Sequence, residues 1–414
     1  MRILILTQWF DPEPTFKGLL FARKLVAAGH QVEVITGFPN YPSGKLYPGF
    51  RQGWFRREVM EGVHVVRCPL YVSHDASALR RLLNYFSFAL SASLYGIFAA
   101  RKADILYVYH PPMTVGLAGA LIGLFRRTPF VYDVQDLWPD TLRATGMISN
   151  TRALNLVGKC CNWIYRRAAH VVVLSPGFRR LLAERGVPDS KLSIIYNWCD
   201  EQSLQSPSAG NSALGFMDGR FNVVFAGNVG RAQAMSGVLK AAQLVALSDS
   251  KVQFVIVGGG LEVGSMKSLA QELKLDNVRF MAQVPMAEIG SVLGHADALL
   301  VHLCRDPLFA ITIPSKTQAY MAVGKPLIMA VEGDAAALVK RANAGITAMP
   351  EDPQSIAAAV LTLAAMTEEQ RVQLGTNAAR FYANELALSI GVARFIELFE
   401  SVADKSTDID GVTT

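Results

Sequence analysis

The apolar run Pro129 to Tyr132 breaks into three carboxylates, Asp133, Asp136 and Asp140, with Trp138 and Pro139 just before the last. Acids at the carboxyl end of a strand face a ligand rather than a core, and one of them can accept a proton from a hydroxyl. Asp136 is the candidate for that work. Asp140 is placed to cap the next helix and Asp133 to bond the backbone. Trp138, on a loop stiffened by proline, offers a face on which a sugar can stack.

Other loops suit anions. Gly18 opens a helix after "FDPEPTFK", so its amide can point at an anion with the helix dipole behind it. Gly227 and Gly230 bracket a tight turn in "FAGNVGRAQ", which leaves amides for a phosphate, and Arg231 adds charge. The run Gly258, Gly259, Gly260 lets a flat ring such as a nucleobase approach the backbone. Pro314 and Ser315 begin a helix, with Ser315 as cap and Lys316 one residue in, a further anion site. Each of these has an ordinary structural explanation alone; together they describe a diphosphate site.

The elements that must hold these loops alternate. "RILILT", "FKGLLFARKLVAAGH" and "QVEVITG" make a strand, a helix and a strand, a parallel crossover. The rhythm continues to "LSIIYN", then restarts at "FNVVFAGNVG" and runs to "AGITAMP". Two such series predict two doubly wound α/β domains, with ligand in the cleft they face. The boundary falls in "DEQSLQSPSAGNSALGFMDGR", rich in Ser, Gly and Pro. The expected domains are residues 1–200 and 201–385, followed by a C-terminal helix at 386–402 that packs back on the first domain and a flexible tail at 403–414.

The 414 residues carry a net charge of +6, but the halves differ. Residues 1–200 hold 24 Lys and Arg against 13 Asp and Glu, leaving 16 against 21 for the rest. The basic half contains five Arg-Arg pairs, from Arg56-Arg57 to Arg179-Arg180. It suits an anionic surface or substrate, though a solvated basic face would look the same. Five cysteines form no metal-ligand spacing, which predicts reduced thiols in a cytoplasmic protein. Leu82 to Ala100 is 19 residues without a charge. Its length could span a bilayer. Asn84, three serines and Gly96 argue instead for a buried helix or an amphipathic one lying in the membrane interface with arginines at the headgroups.

With these motifs in order, "PEPTFKG", "GFPNYPSGKLYPGF", "DLWPDT", "IYNWCDE", "FAGNVG", "FVIVGGG" and "IPSKTQAYMAVGKPLIMA", the chain resembles retaining glycosyltransferases of the GT-B, family 4 (group 1) type. It is most similar to the fucosamine and colanic-acid transferases of O-antigen and capsule assembly. The resemblance covers nearly the whole chain. It implies a hexosyltransferase that takes an N-acetylated deoxyhexose from a UDP-sugar and passes it to a polyprenyl-diphosphate-linked saccharide. No cofactor, metal or nucleic acid is expected, and the location implied is cytoplasmic, peripheral to the inner membrane. The donor would lie on Gly18, Asn228, Gly230, Arg231, Gln233, Gly259, Gly260, Thr312, Pro314, Ser315, Lys316 and Gln318. Asp136 would be catalytic, and Tyr41, Lys45 and Trp138 would face the acceptor.

The chain departs from the family in charge. The paired glutamates correspond to Ala310 and Gln318, and the phosphate-binding arginine and lysine to Asn228 and Gln233. Arg231 and Lys316 are then expected to take the phosphates, while Gln318 bonds a ribose hydroxyl without charge. A sugar-nucleotide 2-epimerase of the same fold and a non-catalytic assembly protein are the alternatives. A dehydrogenase is excluded by the lack of a strand–GxGxxG–helix fingerprint with a downstream acid.

Overall fold

The structure, a computed structural model, describes residues 1–73, 77–144, 147–148, 150–205 and 212–411. Residues 206–211, within the expected linker, lie outside the described residues. Two compact units emerge, Met1–Tyr196 with Gly391–Thr414, and Asn197–Ile390.

The first unit is built on eight strands: β1 (Arg2–Thr7), β2 (Gln31–Gly37), β3 (Arg56–Met60), β4 (Val63–Cys68), β5 (Ile105–Tyr109), β6 (Phe130–Val134), β7 (His170–Val173) and β8 (Leu192–Ile194). Their order is β3-β4-β2-β1-β5-β6-β7-β8. All neighbours are parallel except the β3–β4 hairpin at the edge. Central strands such as β5 are buried at every position, as a parallel sheet covered by helices on both faces requires. Three helices bear on the site: α1 (Leu19–Ala27), α2 (Ala78–Phe98) and α3 (Met113–Arg126). The order reverses between β1 and β5, so the loops after these strands splay apart and open a crevice.

The second unit has six parallel strands: β9 (Phe221–Ala226), β10 (Val252–Val257), β11 (Val278–Met281), β12 (Ala298–His302), β13 (Leu327–Ala330) and β14 (Gly345–Thr347). Their order is β11-β10-β9-β12-β13-β14, with the switch between β9 and β12. Its core is formed by β9, β10 and β12 with the Met235–Ser248 and Pro353–Ala365 helices.

The C-terminal helix, Leu388–Gly411, sets Phe395 against Phe21 and Tyr107 of the first unit, with ring centres 5.4 and 5.3 Å apart. The helix runs on to Gly411 although the apolar spacing fades before its end. Among the described residues no helix is long and apolar enough to cross a membrane.

Candidate active site

In the first unit the loop after β1 is tied by buried charge to the loop after β2 and to strands β5 and β6. Lys17 and Asp133 are both wholly buried and meet at 2.6 Å. Tyr107 donates its hydroxyl to Asp133 Oδ2 at 2.6 Å, and Gln135 Nε2 donates to Oδ1 at 2.6 Å. Asp133 therefore bonds side chains rather than the backbone it was expected to bond, and the partner lysine, far away in sequence, gave no signal. Burial lowers the Lys17 ammonium while Asp133 raises it. Glu13, 2% exposed, accepts the amides of Asn40 and Tyr41, each at 2.7 Å, and that of Phe10 at 3.3 Å. It thus clamps the loop after β1 to the loop after β2. Arg67, also buried, donates to Asp11 O and to Glu58 Oε1, both at 2.6 Å.

This clamp presents Tyr41 in a stack on Trp9, ring centres 4.3 Å apart. Asp136 is half-buried, and burial pushes its carboxyl up to about 6. Its charge, after burial, helps raise the Tyr41 phenol, which marks the two as neighbours. The Asp136 amide donates to His110 Nδ1 at 3.4 Å. That leaves the ring proton on Nε2, and burial pushes His110 down to about 3, so the ring is neutral. The His110 ring stands edge-on to Trp138, which is only 8% exposed. The free face expected of Trp138 is therefore covered, because the loop folds its indole inward. Asp140 does not simply cap: it begins the Asp140–Ala144 helix and pairs with Arg185, and with Arg143 at 3.6 Å. Lys45 is exposed, and its backbone is tied to Ser43: the amide donates to Ser43 Oγ at 3.3 Å and the carbonyl accepts from that hydroxyl at 3.4 Å. Gly18 precedes α1, and the Asp11 carboxylate fills the space a side chain would take and accepts the Leu19 amide at 2.6 Å. An anion at this helix start would have to displace Asp11.

In the second unit the turn after β9 lines a cavity of about 580 Å³ with Asn228, Gly230, Arg231 and Gln233, closed on the other side by Glu262 and Ser265. Gly230 N donates to Gln233 Oε1 at 3.1 Å, so Gln233 shapes the turn with its side chain. His302, buried at the end of β12, bonds Gln233 O through Nδ1 at 2.6 Å and accepts the Glu351 amide at Nε2 at 3.0 Å. Those bonds fix its tautomer with the proton on Nδ1 and pin the turn to the sheet. The Gly258–Gly260 run serves the same turn: a Cβ on Gly258 would lie 2.0 Å from Gly227 O, and one on Gly260 would lie 2.3 Å from Val229 O. Backbone against backbone, rather than a base against backbone, accounts for those two glycines. Gly259 is the open one, its nearest neighbour 3.9 Å from such a Cβ.

Behind the turn stands Lys316. Its Nζ is buried without a hydrogen-bond partner, 3.6 Å from the centre of the Phe225 ring. A Cβ on Gly227 would come within 2.7 Å of that ammonium, so only glycine lets it lie there. Burial lowers Lys316 to about 7. Its helix, Ser315–Val323, has Pro314 at the cap position and no side-chain cap. Ser315 is thus the first helical residue, not the cap expected of it, because proline's fixed φ takes the position before it. Tyr320, on the same helix, accepts the Ala226 amide at 2.8 Å and locks the helix to the end of β9. Gln318, 3% exposed, turns back on its own helix start: its nitrogen donates to Ser315 O at 3.1 Å and Pro314 O at 3.0 Å. Thr312 donates its hydroxyl to Leu308 O at 2.7 Å. Ala310 packs its backbone against Gly333, where a Cβ would come within 1.9 Å.

Two family models divide the chain as the two sheets do. "Glycosyl transferase 4-like domain" matches residues 19–198, and "Glycosyl transferases group 1" matches residues 212–381. The putative colanic acid biosynthesis glycosyl transferase WcaI of Escherichia coli is 28% identical over 80% of this chain and 84% of its own length. The probable glycosyltransferase WbjE of Pseudomonas aeruginosa is 27% identical over 62% of this chain and 65% of its own. Among solved structures, Anabaena HepE in complex with UDP-glucose superposes with a TM-score of 0.69 at 17% identity, over 97% of this chain and 100% of its own. With two parallel sheets of switched strand order and both domain models in sequence, the chain belongs to the group 1 glycosyltransferases of the GT-B fold.

Proposed function

We propose that this glycosyltransferase moves an N-acetylated deoxyhexose from a uridine diphosphate donor to a polyprenyl-diphosphate-linked saccharide at the inner-membrane surface, with retention at the anomeric carbon and without a metal. The observation that carries the donor half is Lys316, a buried ammonium with no hydrogen-bond partner, held under a glycine turn whose neighbour Arg231 is exposed. Burying a cation without an acceptor is costly, so the arrangement is explained by an anion that completes it. A diphosphate set at the Gly227–Arg231 turn does so. As the bond from the anomeric carbon to the phosphate oxygen breaks, charge grows on that oxygen, and Lys316, Arg231 and the first amides of the Ser315–Val323 helix would stabilise it.

Asp136 supports the acceptor half. A carboxyl at about 6 is ionised at neutral pH yet basic enough to orient, or take the proton from, an acceptor hydroxyl as its oxygen bonds the anomeric carbon. His110 and Glu13 act through other groups, holding the loops of Asp136 and Tyr41. The colanic acid relative and the UDP-glucose complex of HepE support the choice of a polysaccharide pathway and a uridine donor. Incubation with a panel of UDP-sugars tests the proposal. Free UDP formed only in the presence of lipid-linked saccharide supports it. An epimerised donor without free UDP identifies an epimerase, and no turnover of any donor identifies an assembly protein.

A further inference from the structure

We propose that the outward face of α2 is a docking surface for an anionic phospholipid bilayer, lying in the plane of the headgroups. The stripe consists of Leu79, Leu83, Phe86, Leu90, Leu94 and Phe98, between 47 and 80% exposed: 68, 48, 51, 64, 48 and 79% in order. Their spacing of three or four residues sets them on one side of the helix for about 28 Å. Water-facing leucines and phenylalanines in an unbroken row are far from the scattered apolar residues of an ordinary surface.

The ends of the stripe name its partner. Arg80 is exposed at one end, and Arg101 and Lys102 at the other. Residues 77–103 contain no Asp or Glu. Arg126 donates to Ile97 O at 3.2 Å and Arg101 O at 3.1 Å, fixing the end of α3 beside the end of α2. That brings Phe125, 68% exposed, and the exposed Arg127 to the same end. An apolar row with cations at both ends matches acyl chains beneath anionic headgroups. A second copy paired about a twofold axis would bring the basic ends of two α2 helices together, which like charge opposes.

The buried side of α2 faces the site. Gln8 Nε2 donates to Asn84 Oδ1 at 2.6 Å, and Asn84 Nδ2 donates to Asn40 Oδ1 at 3.3 Å and Tyr71 O at 2.7 Å. The loops that carry Tyr41 and the end of β1 are thus bonded to the helix that meets the membrane. A lipid-linked acceptor would be delivered beside them. The inference deepens the function proposed above by naming the surface that serves it, and rests on it for the choice of membrane.

Flotation of the full chain with vesicles separates the two. The chain is expected to float with phosphatidylglycerol–phosphatidylethanolamine vesicles and to stay behind with phosphatidylcholine alone. The variant Leu90→Glu/Leu94→Glu is expected to lower the bound fraction about tenfold or more. Arg101→Gln/Lys102→Gln is expected to weaken binding to the anionic vesicles only, with unchanged circular dichroism in both. Equal partitioning of wild type and Leu90→Glu/Leu94→Glu overturns the proposal. So does a wild-type dimer in light scattering that the same variant converts to monomer. Vesicle binding needs no turnover, so its failure leaves the transferase reading standing, and loss of UDP release leaves the docking surface standing.

Discussion

Lys316 Nζ lies 3.6 Å from the centre of the Phe225 ring, beneath the Gly227 turn, with no hydrogen-bond acceptor in reach. The aromatic face offsets part of the cost of burying the charge, and burial brings the ammonium down to about 7. Phosphate oxygens at the turn would raise it again. Replacing Lys316 by Met removes the cation while keeping the stem, and UDP affinity should fall by about 1.5–3 kcal/mol, the range of a hydrogen bond to a charged group. Calorimetric titration with UDP checks this.

The turn itself is held by glycine. Gly258 has φ of +139°, and a Cβ there would lie 2.0 Å from Gly227 O. Gly258→Ala should cost about 1–3 kcal/mol in chemical denaturation and weaken UDP binding in the same variant. Stability lost with UDP affinity intact would separate the turn from the donor.

Asp136→Asn should lower turnover about 10²- to 10⁴-fold while leaving UDP affinity within a factor of about two, since the residue stands on the other unit from the turn. In the wild type, a carboxyl raised to about 6 is active when ionised. The rate should therefore fall as pH drops below about 6, and that limb should vanish in the Asn variant.

Gln318→Glu puts a carboxylate where the resemblance implies one, yet it should not improve donor binding. The amide nitrogen now donates to Ser315 O and Pro314 O, and a carboxylate would meet those carbonyls with no proton. Destabilisation of about 1–3 kcal/mol is expected, with UDP affinity unimproved. A tighter UDP complex would mean that the side chain turns outward to the ribose after all.

Lys17→Met should cost about 3–5 kcal/mol, because Asp133 is left charged and buried without a cation, with Tyr107 and Gln135 as donors. Adding Asp133→Asn should recover much of that loss, as the bare charge goes while the Tyr107 bond stays. Urea midpoints of the two singles and the double complete the cycle.

The parallel sheets could be read from runs such as "ILYVY" and "VQFVIV", nearly all apolar and buried at every position because both faces are covered. The glycine turns could be placed as well, since each follows a strand end. What they touch could not: Gly258 and Gly260 meet carbonyls of the neighbouring loop, a contact set by strand order and not by local sequence. Lys17 and Asp133 are joined only by the β1–β5–β6 stacking of the sheet. Gln318 looked like a ligand residue because its outward or inward turn is a rotamer choice made by the helix start it bonds. The burial of Trp138 is likewise set at a distance, by His110 from the end of β5, which no local pattern spells out.

Titration of the chelator-treated protein with UDP, at about pH 6 and again about two units higher, tests the central claim most directly. Wild type should bind without added metal, more weakly at the higher pH as the Lys316 ammonium of the free protein loses its proton through about 7, and Lys316→Met should bind weakly at both. Binding that waits for magnesium, or a Lys316→Met variant indistinguishable from wild type at both pH values, would contradict it.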